Sequence, residues 1–361
     1  MPRLNQDLRA VLELRAAAQG ISDDRFMSPG EYVRGSLCVQ AQDPKLSRFS
    51  IGLRTNQNDH EVSESLSSMD FVRTHVLRAT WHYIDISDLH WINRLTAKKV
   101  ISSMGARHRE LGIREKDFTA AAAVFERELS GRNFLTREEV HERLPAGGHP
   151  KQKEITGHLL MVAELEGLVA SGPLRDGAHT YALVDEILDA TGSEPRSGNA
   201  EDLIRRMIKG HGPTSEQDIR RWCPLTLSEA REALASDEYE STVVEGTKLW
   251  WDRALTSSGL GPPLLLPTFD ELFMSHAQPR YPRRAQHPLG TQHFHPAAVG
   301  GGVAVVSGHD IGTFKRTQKG KKFQVEMKLG EKISKTEWTK TEQAIRRFGR
   351  FFGQKAEVLR K

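Results

Sequence analysis

The chain has 361 residues, with 51 Lys and Arg against 47 Asp and Glu, and 38% of it is apolar. This is ordinary globular composition, enough for two or three domains, and it excludes a collagen repeat, a disulfide scaffold and a fully disordered chain. No run of about 18 uncharged apolar residues could cross a membrane, and the charged N-terminus, MPRLNQDLRAVLELRAAAQG, lacks the apolar region of a signal peptide. Cys38 and Cys223 are too few for a metal knuckle or a disulfide framework. A cytoplasmic protein is expected, nucleoid-associated if the source is a bacterium.

Residues 4–18 place Leu4, Leu8, Val11, Leu12 and Leu14 at roughly helical spacing. Residues 45–56 are short and mixed. A helix is expected from Asp70 as N-cap through DFVRTHVLRA, followed by a strand at TWHYID. The next unit reads as three helices and a hairpin. FTAAAAVFERELSG (118–131) stops at Gly131. LTREEVHERLP (135–145) carries Thr136 as N-cap with Glu139 as its capping-box partner. EITGHLLMVAELEGLVAS (154–171) is amphipathic. A hairpin then turns at Asp176-Gly177. Three helices and a hairpin make the winged-helix pattern, whose third helix is often offered to a DNA groove.

GSEPRSG (192–198) reads as a linker. The same element order then recurs: helices at 201–213, 214–224 and 226–236, and a hairpin around Glu245-Gly246. Beyond residue 262 the texture changes. GPPLLLPTFDELFMSH is a buried run. Residues 277–300 are rich in Pro, His and Arg and read as a loop. Strands are expected at 302–314, with a turn at Gly308, at 314–318 and at 322–329. A basic amphipathic helix is expected over 339–360.

Charge is unevenly placed. Residues 311–361 hold 15 Lys and Arg and 5 Asp and Glu, a local +10, which leaves 36 basic and 42 acidic residues, or −6, for the rest. A basic end of this kind suits a polyanion, because phosphate contacts release counterions.

Four segments resemble the YcaQ/AlkZ-like winged-helix DNA glycosylases. They are LCVQAQDP (37–44), VRTHVLRATWHYIDISDLHWI (72–92), IKGHGPTSEQDIRRWCPLTLSEAREAL (208–234) and LLLPTFDELFMSH (264–276) with DIGTFKR (310–316). The chain departs from the family at Ala79, at Phe314 in place of a strand Trp, and in a Pro/His/Gly-rich stretch at 285–301. The resemblance implies an α+β fold of three tandem winged-helix modules plus a small C-terminal β-barrel-like module around a DNA-binding cleft. The expected boundaries are 1–105, 106–192, 193–260 and 261–361, the last closed by the basic helix.

The resemblance also implies a monofunctional glycosylase that hydrolyses the N-glycosidic bond of N3- or N7-alkylated purines, bulky or crosslinked ones included. Gln40 and Gln42 are its candidate catalytic pair. On an extended segment both side chains point to one face and Asp43 to the other. An alkylated purine is already cationic, so its departure needs no strong general acid. What remains is to place a water, and a carboxamide can accept a hydrogen bond from that water while donating elsewhere. Candidate DNA-binding residues are Arg73, Arg78 and His82, the hairpin tip Lys319, Lys321 and Lys322, and Arg346 and Arg347 of the last helix. The expected partner is double-stranded DNA carrying alkylated purines, bound by a monomer.

No Walker loop, dinucleotide fingerprint or zinc-protease motif is present, and no metal or cofactor is expected. His276, His287, His293 and His295 lack carboxylates or thiolates at ligand spacing and read as solvent-exposed loop residues. The alternative function is a non-catalytic winged-helix regulator. It would share the fold and the basic patch but need no glutamine pair.

Overall fold

The structure, a computed structural model, describes residues 2–22, 25–144, 152–277, 301–319, 322–330 and 332–360. The first unit runs α1 (Pro2–Ala18), α2 (Pro29–Ser36), β1 (Cys38–Gln40), α3 (Pro44–Thr55), α4 (Asp59–Ser67), β2 (Val72–His75) and β3 (Trp81–Ile84). Helices α5 (Ile86–Ser103) and α6 (Gly105–Glu110) lead into the second unit. This holds α7 (Glu115–Leu129), β4 (Leu135–Thr136), α8 (Arg137–Arg143), α9 (Lys153–Leu165), β5 (Val169–Ser171), β6 (Thr180–Leu183) and α10 (Val184–Thr191). The third holds α11 (Ala200–His211), α12 (Glu216–Trp222), α13 (Leu227–Leu234), β7 (Tyr239–Val244) and β8 (Thr247–Asp252). The last holds β9 (Leu264–Pro267), α14 (Glu271–Met274), β10 (Gly301–Val306), β11 (His309–Lys319), β12 (Lys322–Leu329), α15 (Lys335–Phe351) and β13 (Ala356–Arg360). No helix among the described residues is long and apolar enough to cross a membrane.

Local chemistry explains most boundaries. Thr136–Glu139, Ser215–Asp218, Thr226–Glu229 and Ser334–Glu337 are all reciprocal capping boxes. The β7–β8 turn holds Glu245 and Gly246 at φ 48° and 74°, the pair of positive angles that a two-residue hairpin requires.

Four expectations change. The helix expected after Asp70 is a strand, and β2 pairs antiparallel with β3. Val72 and Thr74 favour the sheet through their branched β-carbons, and Asp70 instead accepts from the Ser65 hydroxyl. The mixed stretch 45–56 is the buried helix α3, started by Asp43 as N-cap and Pro44 at its first position. The last helix ends at Phe351. There Gly353, at φ 64°, lets the chain reverse, with Gln354 N donating to Gly349 O, and residues 356–360 become an edge strand parallel to β12. The strands expected at 302–314 and 314–318 resolve into β10 and one continuous β11.

No closed barrel is found at the C-terminus among the described residues. The C-terminal sheet has five strands in the order β13-β12-β11-β10-β9. Among the described residues it is open, with β9 and β13 at its edges. Helix α15 covers it and supplies Phe348, whose ring meets Phe314 and Phe323 at 5.5 Å.

Two cores meet at β1. Val39 and Ala41 belong to a cluster that joins the first unit to the C-terminal sheet, where Phe49 of α3 packs edge-on against Phe348 at 4.6 Å. Leu37 and Cys38 belong to a second cluster with Trp91, Trp222 and the apolar face of α11. Helix α11 comes so close to α2 that a β-carbon on Gly210 would lie 2.7 Å from the Gly35 carbonyl oxygen. The short strand carrying Gln40 is therefore locked between two cores.

Candidate active site

Strand β1 is the edge of a three-stranded sheet in the order β1-β3-β2, with Gln40 in register with His82. An unpaired backbone N–H buried here would cost roughly 1–3 kcal/mol. The Gln40 N–H instead donates to Glu271 Oε1 at 2.5 Å. The Gln40 side chain is buried too. Its Oε1 accepts from the backbone N–H of Gln42 at 3.0 Å, and its amide lies 3.4 Å from the Thr80 hydroxyl.

The strand ends at Gln40, so strand alternation does not reach Gln42. That residue is exposed, in the turn between β1 and α3. The two glutamines are connected, but through side chain to backbone rather than as a pair on one strand face. Asp43 is engaged as the α3 cap, its Oδ1 accepting from Lys45 N and Leu46 N at 3.1 Å.

Arg73 lies beside this turn. Its Nε donates to the Ala41 carbonyl at 3.0 Å, and its guanidinium stacks 4.3 Å from the Trp81 ring centre. Burial lowers its pKa. Arg78 and His82 form a pair. The guanidinium donates to His82 Nε2 at 2.9 Å, while Nδ1 faces Thr80 O at 2.9 Å. Burial, then the Arg78 charge, holds His82 well below its ordinary pKa, so the ring is a neutral acceptor. His82 has no solvent exposure and sits opposite Gln40 on the neighbouring strand.

Helix α15 places its arginines elsewhere. Arg347 donates to Leu53 O at 2.9 Å and to Asn56 Oδ1 at 3.1 Å, fastening α15 to the end of α3. Arg346 is exposed beside Glu342. Lys321 and the side chains of Lys319 and Lys322 lie outside the described residues, as do His287, His293 and His295. His276 is a correction. It is fully buried, 3.7 Å from Asp218, and burial pushes its pKa down to about 4.

Sequence reasoning missed several neighbours. Glu271 is buried, and burial raises its pKa, while the Ser275 hydroxyl and the Arg78 charge pull it back. Ser275 Oγ donates to Glu271 Oε2 and lies 2.9 Å from His211 Nδ1; His211 Nε2 meets Ser36 O at 3.0 Å. Asp270 accepts from Ser50 at 2.7 Å and from both terminal nitrogens of Arg54 at 2.8 and 2.9 Å. His179, in the hairpin between β5 and β6, has both ring nitrogens buried without a hydrogen-bond partner among the described residues. Burial, then Arg73 and Arg48, pushes its pKa down to about 3. The available signal was the Asp-Glu pair of PTFDELF, where Asp270 reads as a helix N-cap.

A polar cleft of about 880 Å³ lies between α2 and the α10–α11 connection, lined by Arg34, Asp85, Thr191 and Arg196 among others; neither glutamine lines it.

The sequence profile of the family described as "DNA glycosylase AlkZ-like" matches residues 33–351, and the chain belongs to this family. It is therefore a DNA glycosylase, a hydrolase of DNA repair that acts on alkylation damage, and not a non-catalytic regulator. In fold it is similar to the Streptomyces sahachiroi DNA glycosylase AlkZ, at 18% identity and a TM-score of 0.73 over 97% of this chain and 99% of that one. No curated protein matches the chain.

Proposed function

We propose that this protein hydrolyses the N-glycosidic bond of N3- or N7-alkylated purines in double-stranded DNA, bulky or crosslinked adducts included, with Gln42 holding the attacking water. The observation that carries the reading is the state of the two glutamines. Gln40 is buried and bonded at its backbone and its carboxamide oxygen, whereas Gln42, fastened to it through its own N–H, has a side chain exposed to solvent.

The roles follow from that difference. Gln40 fixes the turn and Gln42 presents a carboxamide to solvent. Its oxygen accepts from a water, and its amide donates to a sugar or phosphate oxygen. A cationic alkylated base leaves without strong protonation, so orienting the water against an oxocarbenium-like sugar is the remaining task. Arg73 and Trp81 shape the turn from one side. Arg78 supports the opposite strand through His82.

The docking surface in this reading is a set of three winged-helix modules, bounded at 105, 192 and 260, together with the open C-terminal sheet and its helix. Arg73, Arg78 and Arg346, with the Lys319, Lys321 and Lys322 hairpin tip, supply positive charge, and the protein acts as a monomer on DNA. The test is single-turnover abasic-site formation on duplex containing 7-methylguanine. Gln42→Ala should slow it by at least about tenfold, equal to 1.4 kcal/mol of barrier. Duplex affinity should hardly change, because the side chain carries no charge.

A further inference from the structure

We propose that the adjacent carboxylates Asp270 and Glu271 are positioning residues for the glycosylase reaction: they brace the Gln40–Gln42 turn from both sides. The inference rests on the roles given above to the two glutamines.

Glu271 acts on the strand side. It holds the Gln40 N–H at 2.5 Å, and the Gln40 carboxamide in turn holds the Gln42 N–H at 3.0 Å. The other Glu271 oxygen is held by Ser275, which meets His211, which meets the Ser36 carbonyl just ahead of β1. The circuit thus returns to the other end of the strand. Asp270 acts on the helix side. One residue after Gln42, Asp43 caps α3, and Ser50 and Arg54 of that helix both bond to Asp270. Leu272 N–H donates to Asp270, which fixes the two carboxylates relative to each other at the start of α14. Residues 36–54 are therefore pinned at three points by α14 and α11.

Glu271, Ser275, His211, Asp270 and Arg54 are all buried. None can touch DNA, so any effect on chemistry passes through the turn. Misplacing a reacting group by about 1 Å can slow a reaction on the order of a hundredfold.

The experiment compares Glu271→Ala, Glu271→Gln, Ser275→Ala and Gln42→Ala with the wild type. It uses single-turnover excision of 7-methylguanine with enzyme in saturating excess, and separately measures affinity for undamaged duplex. Glu271→Ala should slow excision about tenfold or more with affinity within about twofold of wild type. Glu271→Gln keeps an acceptor for the Gln40 N–H and should recover most of the rate. A purely structural role would lower melting temperature and active fraction but leave the rate of the folded enzyme unchanged. If Glu271→Ala does not fold, Ser275→Ala decides, and the brace predicts a severalfold slower rate.

A folded Glu271→Ala enzyme at wild-type rate overturns the proposal. So does Glu271→Gln behaving no better than a folded Glu271→Ala, or wild-type speed in Ser275→Ala where Glu271→Ala does not fold. If Gln42→Ala runs at wild-type speed, the underlying reading of the site has failed. If Gln42→Ala is slow and Glu271→Ala is not, only the brace has failed.

Discussion

Gln40 and Gln42 share a motif but not an environment. A carboxylate at position 42 would keep the acceptor that the water needs, so Gln42→Glu should retain excision activity where Gln42→Ala loses it. At position 40 the same change puts a charge in a buried site whose oxygen already has a partner, and Gln40→Glu should slow excision and lower the melting temperature. Equal activity in the two Glu variants would contradict this division. A second prediction at this scale concerns His211, whose pKa burial, then His276, pushes down to about 3 from the ordinary 6.5. The sign follows from linkage. The folded state binds this proton less readily than the unfolded state, so the stability is complete above about pH 6.5 and erodes as pH falls toward 3. His276, held at about 4, acts in the same direction. Glu271, whose pKa burial raises, works against them in this window, but two histidines outweigh one carboxylate, so urea midpoints should fall between pH 7 and about 5, before the depressed carboxylates Asp218 and Asp270 begin to titrate; a rising profile would contradict it. The family resemblance made Gln40 and Gln42 legible as candidates, but the partner of Gln40 is 231 residues away in sequence. No spacing rule could have paired it with Glu271.

The tie between α3 and α14 is the clearest element-scale device. Arg54 and Asp270 are both without solvent exposure and form a two-pronged pair. Removing one partner strands the other charge in the core, so Arg54→Ala should cost about 3–5 kcal/mol of stability. The double variant Arg54→Met, Asp270→Leu should be far less damaging than the two single changes added together. Additive losses in denaturant titrations would show that the pair is not coupled. Much at this scale was legible. The capping box at Thr136 and the Glu245-Gly246 turn depend on residues within a few positions of one another. The errors fell where tertiary pairing decides the outcome. VRTH could have been helix or strand until β3 was beside it, and AEVLR at 356–360 is a strand because the edge of β12 was open to it. Helix α3 was missed although Asp43-Pro44 announces its start, because its buried Arg48 and Arg54 break the usual apolar stripe.

Across the whole molecule, the expected units share cores rather than standing apart. One cluster links residues from α1 to β3 with those from β9 to α15, and another links β1 to α11. That arrangement brings a C-terminal carboxylate to an N-terminal strand, and composition alone could not show it. Charge distribution was legible, with +10 on residues 311–361 and −6 on the rest. Duplex binding should therefore weaken steeply with salt. With four or five phosphates engaged, log K should fall with log salt at a slope near −4, at about −0.9 per phosphate. Fluorescence anisotropy between low and physiological salt reads this directly, and a flat titration would remove the basic end from DNA docking. The central claim is that an exposed Gln42, fixed by a buried Gln40, orients the water that cleaves the glycosidic bond of a cationic purine. The most direct test is single-turnover release of 7-methylguanine by the wild type and Gln42→Ala at saturating enzyme. The wild type should form abasic sites and the variant should be slower by at least about tenfold, with duplex affinity preserved; equal rates in the two enzymes would contradict this role for Gln42.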